Sequence, residues 1–242
     1  MKILGLGLSR TGTLSLHSAV KILGFSSLHF DTRRLNDIID GSNAHPDFRR
    51  YDDIDAVMDL PAAYFFEELI AAYPECKCIL TIRDSDKWWR SICRHFNEHN
   101  PVPPPGPGFN RRMKRMLRRC LHLPDQDGGR DYDLFRMQLR NLVYGSVVAH
   151  EYIYKRKYQQ HKWRVMNIVP AERLLVMDIA SGDGWPQLCP FLGVPIPAVP
   201  FPHEHRVAES SNDKTLEGEC AITAAAGRSF SNTYDFANRP LR

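Results

Sequence analysis

KILGLGLSRTGTLSL, residues 2–16, joins an apolar run to a small polar turn and then to a second apolar series. Lys2 to Leu6 reads as a buried strand, and the turn Gly7-Leu8-Ser9-Arg10-Thr11-Gly12-Thr13 follows it. A helix opens next, because Leu16, Ala19, Val20 and Leu23 recur at helical spacing and Gly24 supplies a stop. Strand, glycine-bearing loop and helix in this order form a phosphate-binding unit. Backbone N–H groups at a helix start converge on an anion there, and the positive end of the helix dipole favours it. Gly12 allows close approach, and Thr11, Thr13 and Ser15 offer hydroxyls. Arg10 brings a fixed positive charge, and Ser9 and Leu14 complete the loop. An ordinary turn capped by Thr or Ser uses the same residue types, so the loop alone does not decide the chemistry.

Downstream, strands and helices alternate. Ala56 to Met58 reads as a second strand and Ala62 to Ala72 as a helix broken by Pro74. Cys76 to Ile82 is apolar and β-branched throughout, the pattern of a strand buried on both faces of a parallel sheet. Trp88 to Phe96 reads as a helix, Tyr132 to about Arg164 as a long helical region, and Arg173 to Ile179 as another buried strand. The expectation is an α/β fold, a three-layer sandwich around a mainly parallel central sheet. Ligands in such sheets lie at the carboxyl ends of the strands. The prolines of PVPPPGPGFN, residues 101–110, remove donors and fix φ, so that segment reads as a loop. From about Glu209 the chain becomes small and polar, which suggests one domain over residues 1–208 and a weakly packed tail over 209–242.

With 242 residues, 43% of them hydrophobic, the chain can bury one sizeable core but not two full catalytic domains. It has no run of eighteen apolar residues and no cleavable signal pattern, which points to a cytoplasmic protein that does not engage a membrane. Its six cysteines are expected to be reduced thiols. Cys76 and Cys78 leave one face of a strand, but no second pair with zinc spacing accompanies them, so no metal is expected. A net charge of +4 fits an anionic small ligand as readily as nucleic acid. Arg111, Arg112, Lys114, Arg115, Arg118 and Arg119 alternate with Met113, Met116 and Leu117. They read either as a cationic amphipathic helix with a solvated face or as a lid over a polyanionic nucleotide.

A second chemical element begins where the apolar strand ends, in Arg83-Asp84-Ser85-Asp86-Lys87-Trp88-Trp89-Arg90-Ser91. Arg83 at the strand end and Ser91 two helical turns on can point at one anion, unless Arg83 pairs with a neighbouring carboxylate. Two familiar nucleotide motifs fail. The Walker pattern needs Lys after Gly where Thr13 stands, and Gly5-x-Gly7 lacks the third glycine of the dinucleotide fingerprint. Asp59 follows the strand Ala56 to Met58 and precedes Pro61, so it faces the crevice as a candidate general base or caps the next helix. His29 is the second candidate base. His150 and His161 lie on the long helical region, as pocket-lining or structural residues.

Arg10-Thr11-Gly12-Thr13 after the first strand, with Arg83 and Ser91 further on, resembles the PAPS-dependent sulfotransferase family, PAPS being 3′-phosphoadenosine 5′-phosphosulfate. The match is closest to the branch marked here by Ser15-Leu16, Asp59-Leu60-Pro61, Gly184-Trp185, Leu188-Cys189 and Phe191-Leu192-Gly193, and it spans about residues 2 to 203. The resemblance implies a P-loop-like sulfotransferase fold, with the first motif on the 5′-phosphosulfate and the second on the 3′-phosphate. It implies Arg10 at the phosphosulfate bridge, Asp59 as the base, no metal, and a small-molecule acceptor with a hydroxyl or amine. It implies no nucleic-acid partner and leaves a homo-oligomer open. The chain departs from the steroid and phenol enzymes: Arg10 stands where they carry lysine, and their C-terminal glycine-rich basic motif is missing. A P-loop-like kinase or NTP hydrolase and a non-catalytic nucleotide-binding protein are the rival readings.

Overall fold

Hydrophobic runs placed strands at four points along the chain, and the computed structural model has all four together with a short fifth one. It describes residues 2–98 and 127–204. The strands are β1 (Ile3–Gly5), β2 (Ser27–His29), β3 (Ala56–Met58), β4 (Lys77–Thr81) and β5 (Leu174–Met177). The helices are α1 (Thr13–Ile22), α2 (Asn36–Ile39), α3 (Phe66–Ala72), α4 (Ser85–Glu98), α5 (Asp127–Tyr144), α6 (Glu151–Ile168) and α7 (Trp185–Leu192). The five strands form one sheet in the order β2-β3-β1-β4-β5. Every pairing is parallel, with β1 central: Ile3 lies opposite Ala56 on one side and Lys77 on the other.

The period-two alternation of the strands sends their side chains into two separate cores. Ile3, Ala56, Met58, Ile79 and Met177 pack with Leu16, Ala19 and Val20 of α1 and with Trp185, Leu188 and Leu192 of α7. Leu4, Val57, Cys78 and Leu80 face the other way, onto Phe66 and Leu69 of α3 and Val165 of α6. Helices on both faces of a parallel sheet give the three layers that the sequence predicts. A third cluster joins Leu8 and Leu60, just past β1 and β3, to Trp88 and Ile92 of α4, Leu139 and Tyr144 of α5, and Tyr154 and Tyr158 of α6. It roofs the carboxyl ends of the central strands.

Two boundaries differ from expectation. The helical region Tyr132 to Arg164 is two helices, because Gly145 takes a left-handed φ of 75° that ends α5. The helix expected from Ala62 starts only at Phe66, since residues 60–65 are turns. The predicted loop at residues 101–110, the basic segment Arg111 to Arg119, and the domain boundary with its tail lie outside the described residues. Among the described residues, no helix is long and apolar enough to cross a membrane. No group of His, Cys, Asp and Glu there could hold a metal ion. Cys76 and Cys78 are buried thiols with their sulfurs 3.7 Å apart.

Candidate active site

Three strands end beside one another, and each is followed by a strained residue. Arg10 (φ 73°) after β1, Phe30 (φ 54°) after β2 and Asp59 (φ 67°) after β3 are the described non-glycine residues in the left-handed region. Such conformations cost on the order of 1–3 kcal/mol each and persist where the surroundings over-determine them, commonly at functional sites. The loop between β1 and α1 is held just as tightly. A Cβ on Gly7 would lie 1.8 Å from Thr81 Oγ1, so only glycine lets the loop pass β4 this closely. Thr11 faces inward there, its hydroxyl donating to Leu8 O (2.7 Å) and bonded to Thr81 Oγ1 (2.7 Å).

Asp59 sits at the centre. Its carboxylate is buried, and Oδ1 accepts from Ser9 Oγ at 2.6 Å and from the Leu60 amide at 2.8 Å. Oδ2 accepts from Thr13 Oγ1 at 3.2 Å and lies 3.3 Å from His29 Nε2. His29 Nε2 is itself 3.1 Å from Thr13 Oγ1. Both candidate bases therefore meet at the loop. Asp59 is not the cap of α3, whose N-cap position is Phe65.

The opposite side of the loop is cationic. Gly12, with φ 102°, precedes α1, and Leu16 makes the first intrahelical bond, to Gly12 O at 3.0 Å. The amides of Thr13, Leu14 and Ser15 thus lack intrahelical acceptors and lie at the positive end of the dipole. The Ser15 hydroxyl accepts from the Glu204 amide at 3.0 Å. Arg10 Nε donates to Ser91 Oγ at 3.1 Å, and Arg83 Nη1 donates to Arg10 O at 3.4 Å. Arg83 Nε is buried with no hydrogen-bond partner. Burial lowers the Arg83 pKa, Arg90 and Arg94 reinforce the shift, and Asp178 opposes it. The guanidinium nonetheless stays charged at any working pH. An incoming anion would supply the acceptor that Nε lacks, so the residues present fit an anionic ligand.

A carboxylate held by two hydroxyls, with a histidine beside it, thus faces a cationic loop over the end of a parallel sheet. The family model for the sulfotransferase domain matches residues 2–210 of the chain. The chain belongs to the sulfotransferase family. It is 31% identical over 235 residues to a protein of Aspergillus versicolor named Ava biosynthesis cluster protein M, covering 84% of this chain and 80% of that one.

Of the residues singled out in the sequence, hydrogen bonds join Ser9 and Thr13 to Asp59, His29 to Thr13, Arg10 to Ser91 and Arg83 to the Arg10 carbonyl. His150 stands exposed at the start of α6, while His161 is buried with Nε2 donating to Leu6 O at 2.7 Å. Neither is a hydrogen-bond partner of Asp59. Three aromatic residues beside the site carried no sequence signal beyond helical spacing. Trp88 Nε1 donates to Ser9 O at 3.0 Å, and Tyr158 is hydrogen bonded to the Arg83 main chain. The Tyr144 hydroxyl is buried without a partner. Burial and then the Asp59 charge push its pKa well up, while the Ser9 side chain partly offsets them.

Two histidines are expected to make the fold sensitive to acid. Burial holds His161 down at about 4, the hydrogen bond to the Leu6 carbonyl opposes this, and Arg164 adds to it. His17, bonded through Nδ1 to Ser27 Oγ at 2.8 Å, is lowered to about 4 by burial first and by His29 second. Both are neutral when folded, whereas the unfolded chain takes up their protons near pH 6.5. Their contribution is therefore complete above about pH 6.5 and is lost as pH falls toward the folded values. The melting temperature is expected to decline over that window, and more shallowly in His161→Gln. Parallel curves for the two proteins would remove His161 from the explanation.

Proposed function

We propose that the protein transfers a sulfuryl group from PAPS to the hydroxyl or amine of a small-molecule acceptor. The observation that carries this reading is the pairing of unlike halves across one loop: Asp59 with two hydroxyl donors on one side, and Arg10, Arg83 and Ser91 on the other. The loop from Ser9 to Ser15 would hold the 5′-phosphosulfate. Arg83, with its unpartnered Nε, and Ser91 would take the 3′-phosphate.

PAPS supplies a sulfuryl group on a good leaving phosphate. The acceptor oxygen or nitrogen bonds to sulfur, the bond from sulfur to the bridging oxygen breaks, and adenosine 3′,5′-bisphosphate (PAP) leaves. Asp59 takes the acceptor's proton at its carboxylate and later returns it to solvent. His29, 3.3 Å from Oδ2, is the alternative proton acceptor. Arg10 balances the negative charge that builds on the bridging oxygen. As in phosphoryl transfer, position and electrostatics dominate, and the strained, over-determined backbone of the three strand ends serves that purpose.

PAP at about a hundred times its Kd is expected to raise the melting temperature by roughly 5–10 °C, through binding to the native state alone. ATP with magnesium lacks a 3′-phosphate and should shift it much less. Equal shifts with both nucleotides would sink the assignment of Arg83 and Ser91.

A further inference from the structure

One side chain grips the main chain of Arg83 on both sides. The Tyr158 hydroxyl accepts from the Arg83 amide at 2.9 Å and donates to the Arg83 carbonyl at 2.8 Å. Arg83 needs such a partner because it has left the sheet: the Ile82 amide makes a ladder-type bond, to Met177 O at 2.8 Å, and Arg83 makes none. Without Tyr158, its N–H and C=O would be part-buried groups with no protein partner.

The same tyrosine reaches the loop. Its ring stacks on Trp88, with centroids 4.5 Å apart and planes 11° from parallel. Trp88, fully buried, donates to Ser9 O at 3.0 Å. One pair of buried rings on α4 and α6 thus ties the Ser9 carbonyl to the Arg83 backbone. These are the two segments assigned to opposite ends of the donor nucleotide. Burial pushes the Tyr158 pKa up to about 12, so its hydroxyl keeps the proton it donates.

We propose that Tyr158 is a positioning residue for donor recognition, holding the Arg83 backbone so that its guanidinium is kept where, with Ser91, it meets the donor's 3′-phosphate. This rests on the PAPS reading above. Tyr158 touches neither nucleotide nor acceptor in this role and acts only through Arg83.

Tyr158→Phe removes the hydroxyl and keeps the ring stack on Trp88. The affinities to compare are those for PAP and for AMP, which differ only in the 3′-phosphate, with Arg83→Ala measured alongside. PAP affinity in Tyr158→Phe is expected to fall about tenfold, with AMP affinity changing by less than about twofold. The kcat at saturating PAPS should stay within about threefold of the unaltered protein, so the loss falls on KM. A purely structural tyrosine would lower the melting temperature while PAP and AMP affinities moved together or not at all, and that result overturns the proposal. If Arg83→Ala weakens PAP but Tyr158→Phe does not, the positioning role alone fails. If neither variant weakens PAP, the 3′-phosphate site itself is misplaced and both readings fall.

Discussion

Asp59→Asn is expected to lower kcat on the order of a hundredfold to ten-thousandfold, with PAP affinity and melting temperature nearly unchanged. The geometry isolates the proton-accepting function. Asparagine tolerates the left-handed φ of 67° about as well as aspartate does. Its amide oxygen can keep the bonds that Oδ1 accepts from Ser9 and the Leu60 amide. Its NH₂ group can donate where Oδ2 now meets Thr13 and His29. The fold therefore loses little, and the nucleotide contacts lie on other residues. What disappears is the carboxylate able to accept a proton there. His29→Ala is the necessary companion. Should Asp59→Asn keep near-normal kcat while His29→Ala collapses it, the base is His29.

Arg10→Gly should separate backbone strain from chemistry. Arg10 holds φ 73°, a conformation costly for arginine and free for glycine. The substitution also removes the Nε bond to Ser91. Stability should hold or rise, while kcat/KM for PAPS falls by about a hundredfold to a thousandfold, the loss typical of a removed preorganised donor at a developing charge. A variant that is both less stable and equally active would show that Arg10 serves the loop's shape and not the transferring group.

The β1–loop–α1 unit was legible because one stretch of chain builds it: the apolar run, Gly12 and the helical spacing after it are all local. Asp59 and Arg83 could be placed for the same reason, each standing at the end of an apolar strand, where a parallel sheet directs side chains into the crevice. The meeting of Asp59 with Ser9 and Thr13 followed from strand order, which puts β3 beside β1. Tyr158 and Trp88 were not legible in this way. Their partners lie 75 and 79 residues away, and helical spacing marks them only as core positions. The break between α5 and α6 did carry a signal, in Gly145-Ser146, but the apolar periodicity on either side masked it. The late start of α3 follows from turns built around Asp59, whose carbonyl accepts from the Ala63 amide at 2.9 Å.

The central claim is sulfuryl transfer from PAPS, and the most direct measurement follows the label. The protein is incubated with PAPS radiolabelled in its sulfuryl group and a panel of hydroxyl and amine acceptors, and both the labelled product and PAP are quantified. The expected result is labelled acceptor from at least one class, formed in equal amount with PAP and lost in Asp59→Asn. Label that remains on the nucleotide or emerges only as free sulfate with every acceptor class, while γ-labelled ATP gives up its phosphoryl group instead, would contradict it.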